Sequence, residues 1–238
     1  MCSSDLFFPP LVSRLLVASL ALPLGSCDYL SSFESVCEKR LAPAKVEVVA
    51  EDIEFKQDFT RSIEQLSSRG AAKVGHMVLG LVETKLTGAV EFTAPGIVKP
   101  FSGRYCMRPS LMLTLSFKPT TLFIAREHPQ GSCEFDITMD HEKKHIAVYQ
   151  AYLDKLALDV RDELREQLGD RIQYFDSAEA GETSIRQRAA SILQPYLERG
   201  AQESARRQAL VDTPEEYFRL ETFQARCSPR ESRAAPKS

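Results

Sequence analysis

The sequence lacks tryptophan altogether and contains only four histidines among its 238 residues. It also lacks an excess of charge of either sign, because 30 lysines and arginines face 33 aspartates and glutamates and leave a formal net charge of -3. A chain without a basic excess does not carry the electrostatic signature of nucleic-acid binding, and we expect no nucleic-acid partner. Any site built on imidazole must use one of the four histidines.

Two further absences narrow the class of protein. No apolar run reaches the roughly 20 residues that a transmembrane helix needs, which excludes a multi-span membrane protein. The chain has neither a glycine-rich loop that could cradle a phosphate nor a serine in the context of a nucleophile elbow. Hydrophobic residues nevertheless make up 43% of the sequence and charged residues 26%, so the chain can bury a core and is neither collagen-like nor intrinsically disordered.

The N-terminal residues have the pattern of an export signal. Arg14 precedes a short apolar run over residues 15–22, and small residues follow directly before Cys27. These features in this order are typical of a secretory signal peptide, which we place at residues 1–26. Residues 24–27, with the sequence Leu-Gly-Ser-Cys, resemble the bacterial lipobox, and the resemblance implies that Cys27 is acylated.

The resemblance to a lipobox predicts a location in the bacterial cell envelope. An aspartate after the acylated cysteine, here Asp28, is associated in such lipoproteins with retention at the inner membrane. We therefore expect an exported protein that is held on the periplasmic side of the membrane by a lipid anchor. The alternative is a cleaved signal peptide without a lipid.

The number of cysteines favours lipidation. Cleavage before Cys27 leaves five cysteines, and an odd number is unexpected in an oxidising compartment. If Cys27 carries a lipid, four cysteines remain, and export would allow them to form two disulfides. These four are Cys37, Cys106, Cys133 and Cys227.

A predicted hairpin suggests how the four cysteines pair. Residues 111–117 and 122–126 have the pattern of two strands, and Pro119 lies between them at a turn position. Extending the register of this hairpin brings the second and third of the four cysteines opposite each other and leaves the first for the last. The predicted disulfides are therefore Cys106–Cys133 and Cys37–Cys227, with the other pairings left open.

The apolar pattern along the chain predicts an α+β fold, in which a small antiparallel sheet precedes one long helix and further C-terminal helices. We expect a single domain over residues 27–227 and a disordered tail at residues 228–238. Within the domain the expected parts are a tether at 27–44, a β-rich part at 45–134 and a helical part at 135–227.

Three segments predict helices in the C-terminal half. Residues 136–168 contain no glycine or proline, carry apolar residues at helical spacing and are followed by Gly169, which is typical of a helix end. Helical sequence continues over residues 183–209, with weak points at Pro195 and Gly200. The last helix has a clear start, because Thr213, Pro214 and Glu216 form a capping-box pattern, and it runs to about Arg226.

The residues His141-Glu142-Lys143-Lys144-His145 match the pattern HExxH within the predicted long helix. Positions i and i+4 of an α-helix lie on one face, so the imidazoles of His141 and His145 can bind one Zn²⁺. The carboxylate of Glu142 would lie beside the metal, where it can take a proton from an attacking water and pass it to a leaving amine. The pattern predicts a zinc site with Glu142 as its catalytic residue.

A third metal ligand must come from another segment of the chain. Acidic residues further along the same helix are too distant, since Glu163 would lie about 27 Å from His145 on an unbroken helix. The candidates are His76, His128, Asp212, Glu215 and Glu216. We expect Glu216 to be engaged in the cap of its own helix.

This layout resembles an uncharacterised bacterial family of predicted secreted zinc-dependent proteases. The comparable pieces are strands up to Phe123, then Cys133, the HExxH helix, and residues 205–208 leading to Asp212-Thr213. The resemblance covers about residues 45–216 and implies a peptidase activity on a peptide or protein substrate. Where that family has a downstream His-Gly, this chain has Pro214-Glu215.

The sequence is thus compatible with two functions. The first is a zinc-dependent metallohydrolase, peptidase-like, in the bacterial envelope. The second is a non-catalytic envelope lipoprotein with a structural or partner-binding role, in which His141 and His145 are two polar residues on a solvated helix face. Metal content separates the two, and the oligomeric state is not predicted.

Overall fold

The computed structural model describes residues 32–69 and 77–227. The predicted signal peptide, the lipidation site at Cys27, His76 and the predicted tail lie outside these ranges. Within them, no helix has the length and apolar character needed to cross a membrane.

In these two ranges, five helices and nine strands follow one another in an α+β arrangement, as predicted. The helices are α1 (Phe33–Arg40), α2 (Ile63–Ser67), α3 (Cys133–Leu168), α4 (Ala178–Gln208) and α5 (Pro214–Cys227). The strands are β1 (Val46–Ala50), β2 (Lys56–Asp58), β3 (Gly80–Glu83), β4 (Leu86–Thr93), β5 (Gly96–Val98), β6 (Tyr105–Met107), β7 (Ser110–Phe117), β8 (Thr121–Ile124) and β9 (Gln173–Phe175).

The strands form three small sheets of three strands each, in the orders β1-β7-β4, β2-β8-β3 and β5-β6-β9. Pairing is parallel between β1 and β7 and between β2 and β8, and it is antiparallel elsewhere. Two of the sheets are therefore mixed, although a single antiparallel sheet was expected.

The predicted hairpin of residues 111–117 and 122–126 is wrong. Both segments are strands, β7 and β8, but β7 pairs with β1 and β4 while β8 pairs with β2 and β3. The short connection around Pro119 passes the chain from one sheet to the next. Pairing with distant strands has replaced the local register on which the hairpin depended.

The disulfides differ from the predicted ones for the same reason. Cys37 is bonded to Cys106, which joins α1 to β6, and Cys133 is bonded to Cys227. The predicted pairs Cys106–Cys133 and Cys37–Cys227 are thus wrong. The second observed bond links the first residue of α3 to the last residue of α5, so the two ends of the helical part are tied together.

Helix α3 is the central element of the fold. Its C-terminal half packs on the β1-β7-β4 sheet and on α4, and the shared core includes Leu113, Leu115, Leu153, Val160 and Ile192. Its N-terminal half packs on β8 in a separate apolar cluster with Phe135 and Met139. Since one rigid helix is anchored to two sheets, the residues midway along it have a fixed position.

Helix α4 continues through Pro195 and Gly200, the two expected weak points. Apolar residues before the proline, among them Ile185, Ala189 and Ile192, are buried in the core, and packing of this kind overrides a local preference against helix. A Cβ on Gly200 would lie 2.5 Å from Leu86 of β4, so this glycine is needed for close approach of helix and strand.

Candidate metal centre

Three side chains converge where α3 meets the turn between α4 and α5. Nε2 of His141 lies 3.2 Å from Nε2 of His145 and 3.2 Å from Oδ1 of Asp212, and Nε2 of His145 lies 3.3 Å from the same oxygen. These residues form a group that could hold a metal ion. Asp212 is one of the five third-ligand candidates taken from the sequence.

The spacing of the three atoms suits a tetrahedral ion. Ligands at about 2.0–2.1 Å from a tetrahedral zinc ion are separated from one another by about 3.3–3.4 Å. The observed separations of 3.2 to 3.3 Å are close to that value. Two imidazoles and one carboxylate also match the preference of zinc for nitrogen and oxygen ligands, whereas calcium and magnesium prefer oxygen alone.

The outer nitrogens of both imidazoles have hydrogen-bond partners. Nδ1 of His141 lies 3.3 Å from Oε1 of Glu216, and Nδ1 of His145 lies 2.5 Å from Oε1 of Gln208. Because carboxylate and amide oxygens accept, each Nδ1 carries the hydrogen and each Nε2 presents a lone pair. Three acceptor atoms then face one another, which is an arrangement that a cation between them satisfies.

Glu216 orients His141 and does not close the cap of its own helix with its carboxylate. The backbone amide of Glu216 donates to Oγ1 of Thr213, so the predicted N-cap residue is confirmed. Its carboxylate, however, accepts from Lys144 at 2.6 Å and from Arg219 at 2.6 Å and contacts His141. Hydrogen bonds from Arg219 and then Lys144 and His141 hold the pKa of Glu216 well below its usual range.

The pKa values of Asp212 and His145 are shifted in opposite directions. Burial raises the pKa of Asp212, but the close contacts with His141 and His145 outweigh it and leave that pKa well below its ordinary value. Burial lowers the pKa of His145, and the hydrogen bond with Asp212 and the charge of Glu142 raise it by more. The pocket thus favours a positive charge between the ligands.

Glu142 lies in the interior with only 4% of its surface exposed. Burial raises its pKa to about 7, against the opposing effect of the charges on His145 and His141. Its side chain packs against Gly80 of β3, where a Cβ would lie 2.5 Å from Oε1. The strand therefore approaches the metal-binding face of α3 as closely as a glycine permits.

A cavity of about 580 Å³ opens over these residues. His141, Glu142, His145 and Asp212 lie in its wall. Other parts of the wall come from residues 77–82 on and before β3, from Tyr149 of α3, from Ala209 directly after α4, and from Tyr217 and Leu220 of α5. Glu142 thus lies in the wall of a hollow that is large enough for a ligand.

Two tyrosines border the cavity. Burial raises the pKa of Tyr217 to about 12, and the charge of Asp212 acts in the same direction. Burial and the charge of Glu142 also raise the pKa of Tyr149, whose ring packs against Phe117 with ring centroids 4.7 Å apart. Tyr149 is thus both part of the cavity wall and part of the core packing.

Of the other candidates that the structure describes, His128 and Glu215 do not join the three residues. Nδ1 of His128 lies 3.4 Å from Oγ1 of Thr138, Glu215 is exposed on the first turn of α5, and His76 lies outside the described residues. The interpretation of His141 and His145 as residues on a solvated face is wrong. His141 is 6% exposed and the side chain of His145 is 11% exposed.

Sequence reasoning missed three residues of this site. Gln208 precedes Asp212 by one helical turn, Gly80 is one of several glycines in a strand region, and Tyr217 follows Glu216. None has a spacing relative to HExxH that could have identified it, because each reaches the site through the packing of another element on α3.

Comparisons with known proteins found no similar chain: no family model matches, and no curated protein and no solved structure matches either.

Proposed function

We propose that the protein is a zinc-dependent hydrolase of the bacterial cell envelope that cleaves peptide bonds. The observation that carries the proposal is the convergence of His141, His145 and Asp212 at 3.2 to 3.3 Å, beside a buried glutamate that faces a cavity. An accidental HExxH sequence has no reason to gather a third ligand from 71 residues away.

The residues of the site would have different roles. His141, His145 and Asp212 would hold the metal, and Glu216 and Gln208 would fix the imidazoles in the orientation that binding needs. A bound zinc ion would supply Lewis-acid polarisation of the substrate carbonyl and make an attacking water more acidic. Glu142 would accept the proton of that water and deliver it to the leaving amine.

The shape of the cavity supports a peptide as substrate. Strand β3 lies in its wall and, among the described residues, pairs with β8 along one edge only. An extended peptide can add to an open strand edge through backbone hydrogen bonds. A peptide placed there would run beside Gly80, the residue of β3 that packs against the side chain of Glu142.

The proposed location rests on the cysteines and on the N-terminal sequence. The disulfides Cys37–Cys106 and Cys133–Cys227 fit an oxidising compartment, as expected for an exported protein. The pattern of a signal peptide and the lipobox-like residues before Asp28 support a lipid anchor on Cys27 at the periplasmic side of the membrane.

Metal analysis of the gently purified protein tests the proposal. We expect close to one zinc per chain, and loss of that zinc in the double variant His141→Ala, His145→Ala, with an unchanged circular dichroism spectrum. A matched control is His128→Ala, which removes an imidazole outside the metal group. Wild-type protein without zinc would contradict the proposal.

The second test is hydrolysis of an unfolded protein substrate by the zinc-loaded chain. If a chelator abolishes cleavage and added zinc restores it, the result supports the proposed peptidase activity. Stoichiometric zinc without cleavage of any peptide would favour the non-catalytic envelope lipoprotein with a structural or partner-binding role.

A further inference from the structure

The hairpin formed by β5 and β6 carries an exposed aromatic residue at its tip. Phe101 is fully exposed, and Val98 at the end of β5 is 58% exposed. The backbone of Phe101 has a φ of 67°, in the left-handed region that bulky residues rarely adopt. The ring therefore projects from the protein surface and does not fold back onto it.

Backbone hydrogen bonds give the tip a defined shape. The amide of Lys99 donates to the carbonyl of Arg104 at 2.7 Å, the amide of Ser102 to the carbonyl of Pro100 at 2.8 Å, and the amide of Gly103 to the carbonyl of Lys99 at 3.3 Å. The turn thus holds the side chain of Phe101 in solvent, close to the exposed side chain of Val98.

Cationic side chains flank the tip. The ammonium of Lys99 lies 5.8 Å from the ring centroid of Phe33, and the guanidinium of Arg104 lies 5.7 Å from that of Tyr174. An apolar residue at the apex with lysine, arginine and tyrosine behind it matches the layered chemistry of a membrane interface. Acyl chains cover the apolar part, while anionic headgroups attract the cations.

The hairpin lies beside the point where the described chain begins. Phe33 is the first residue of α1, and the disulfide between Cys37 and Cys106 fixes α1 to β6. Cys27 precedes Phe33 by six residues, a length of chain that spans at most about 20 Å. Any membrane attachment at Cys27 would bring a bilayer within reach of this end of the molecule.

The small size of the patch favours a bilayer over a folded protein. A stable protein interface buries about 800 Å² on each partner and involves about 20 to 30 residues a side. The apolar surface of the tip consists of Phe101 and Val98. A single aromatic wedge with flanking cations is too small for such an interface but is sufficient to enter the outer layer of a membrane.

We propose that the β5–β6 hairpin tip binds an anionic lipid bilayer, with Phe101 in the acyl-chain boundary and Lys99 and Arg104 at the headgroups. The tip then forms a second contact with the membrane beside the N-terminal segment, and two contacts fix the orientation of the domain on the surface. This inference rests on the lipid anchor at Cys27 that the proposed function includes, but not on the proposed hydrolase activity, since it uses none of the residues of the candidate metal centre.

The absence of tryptophan makes a direct test available. Phe101→Trp places a single fluorophore at the tip of the full chain, and Phe218→Trp places one on α5, where the phenylalanine is 72% exposed. Each variant is mixed with vesicles of phosphatidylethanolamine and phosphatidylglycerol that carry brominated acyl chains. We expect emission from position 101 to shift to the blue and fall at least about twofold, while position 218 keeps its emission.

Two further measurements test whether the binding depends on the positive charge of the tip and on the negative charge of the lipid. Adding Lys99→Glu to Phe101→Trp should reduce the quenching, and vesicles of phosphatidylcholine alone should quench position 101 less than anionic vesicles do. Emission at position 101 that does not respond to brominated lipid would overturn the proposal, and so would equal quenching at positions 101 and 218. The readout is fluorescence, so its failure is distinct from a failure of the zinc or hydrolysis assays.

Discussion

Gly80 lies directly against Glu142: a Cβ at position 80 would be 2.5 Å from Oε1 and 2.7 Å from Cγ of the glutamate. Contacts this short force one of the two groups to move. Strand β3 is held by its pairing with β8, so the side chain of Glu142 is the part that would be displaced.

We therefore expect Gly80→Ala to uncouple hydrolysis from metal binding. The zinc content should stay near that of the wild type, because the three ligands are untouched, while hydrolysis falls by about 10²-fold or more as the base leaves its position. Gly88→Ala is the matched control. A Cβ at position 88 would lie 3.1 Å from its nearest side-chain atom, compared with 2.5 Å at position 80, so its neighbours need to move less. Unchanged hydrolysis in Gly80→Ala would contradict the role of this contact.

Glu142→Gln should retain zinc and lose hydrolysis. The amide keeps the shape of the side chain but cannot accept the proton of the attacking water, a contribution worth about 10²–10⁴-fold in rate. Zinc content and the rate of peptide cleavage are measured on the same preparation. Glu163→Gln, on the same helix but away from the cavity, serves as the control. A variant that cleaves as fast as the wild type would mean that Glu142 is not the base.

Asp212→Ala should weaken zinc binding by at least about 100-fold, because the binding free energy of a protein zinc site, about 10–16 kcal/mol, is shared among about four ligands. The dissociation constant is measured by competition with a chromogenic chelator. The control is Asp154→Ala on α3, which removes a carboxylate that accepts from Gln150 at 2.9 Å. An unchanged dissociation constant in Asp212→Ala would remove this residue from the ligand set.

Glu216→Gln and Glu215→Gln form a pair of neighbouring variants with different expected outcomes. Glu216 contacts Nδ1 of His141, so its substitution should weaken zinc binding by about 10–100-fold. Glu215 is exposed and should tolerate the same change. Both keep the cap of α5, which uses the hydroxyl of Thr213 and the backbone amide of residue 216. Equal affinities in the two variants would exclude an orienting role for Glu216.

Opening the disulfide Cys133–Cys227 should loosen α5 and reduce zinc affinity. No residue of α5 is buried, so this bond and the contacts of Glu216 with Lys144 and His141 on α3 are important for the position of the helix. Removing a native disulfide costs about 2–5 kcal/mol in small exported domains. The double variant Cys133→Ser, Cys227→Ser should lose hydrogen-exchange protection in α5.

The control is Cys37→Ser, Cys106→Ser, which opens the bond between α1 and β6. This variant should be less stable to denaturant but should bind zinc as tightly as the wild type while folded. If both pairs of substitutions affect zinc equally, the disulfide of α5 has no particular role at the metal centre.

The long helix was predictable because the residues that specify it lie within the helix and at its end. Helical spacing of apolar residues without glycine or proline over residues 136–168, followed by Gly169, predicted a helix that the structure places at Cys133–Leu168. The positions of His141 and His145 on one face follow from helix geometry alone. Two of the three candidate ligands and the candidate base were therefore identifiable from sequence.

The third candidate ligand was not identifiable from sequence, because its position depends on how distant segments of the chain pack together. Asp212 and Glu216 were both on the short list, and Asp212 reaches the imidazoles only because α4 and α5 meet across α3. Glu216 was assigned to its own cap by a local rule, but the charges of Lys144 and Arg219 and the imidazole of His141 attract its carboxylate. Contacts with Arg219 one turn further along α5 and with Lys144 and His141 on α3 outweighed the capping motif.

The predicted pairing of the cysteines was wrong for a related reason. A hairpin register is a local inference, whereas β7 and β8 each pair with strands far away in sequence. Four cysteines allow three pairings, and the choice between them depends on which elements meet in space. Sequence could supply the number of bonds but not the partners.

The wide separation of the ligands along the chain has a consequence for biogenesis. Oδ1 of Asp212 comes from a residue 71 positions after His141, and α5 is fastened by its last residue to the first residue of α3. A chain that crosses a membrane with its N-terminus leading presents both imidazoles well before the carboxylate arrives. Metal capture, and any cutting activity that depends on it, would thus be postponed until translocation has finished and the final helix has been oxidised into place.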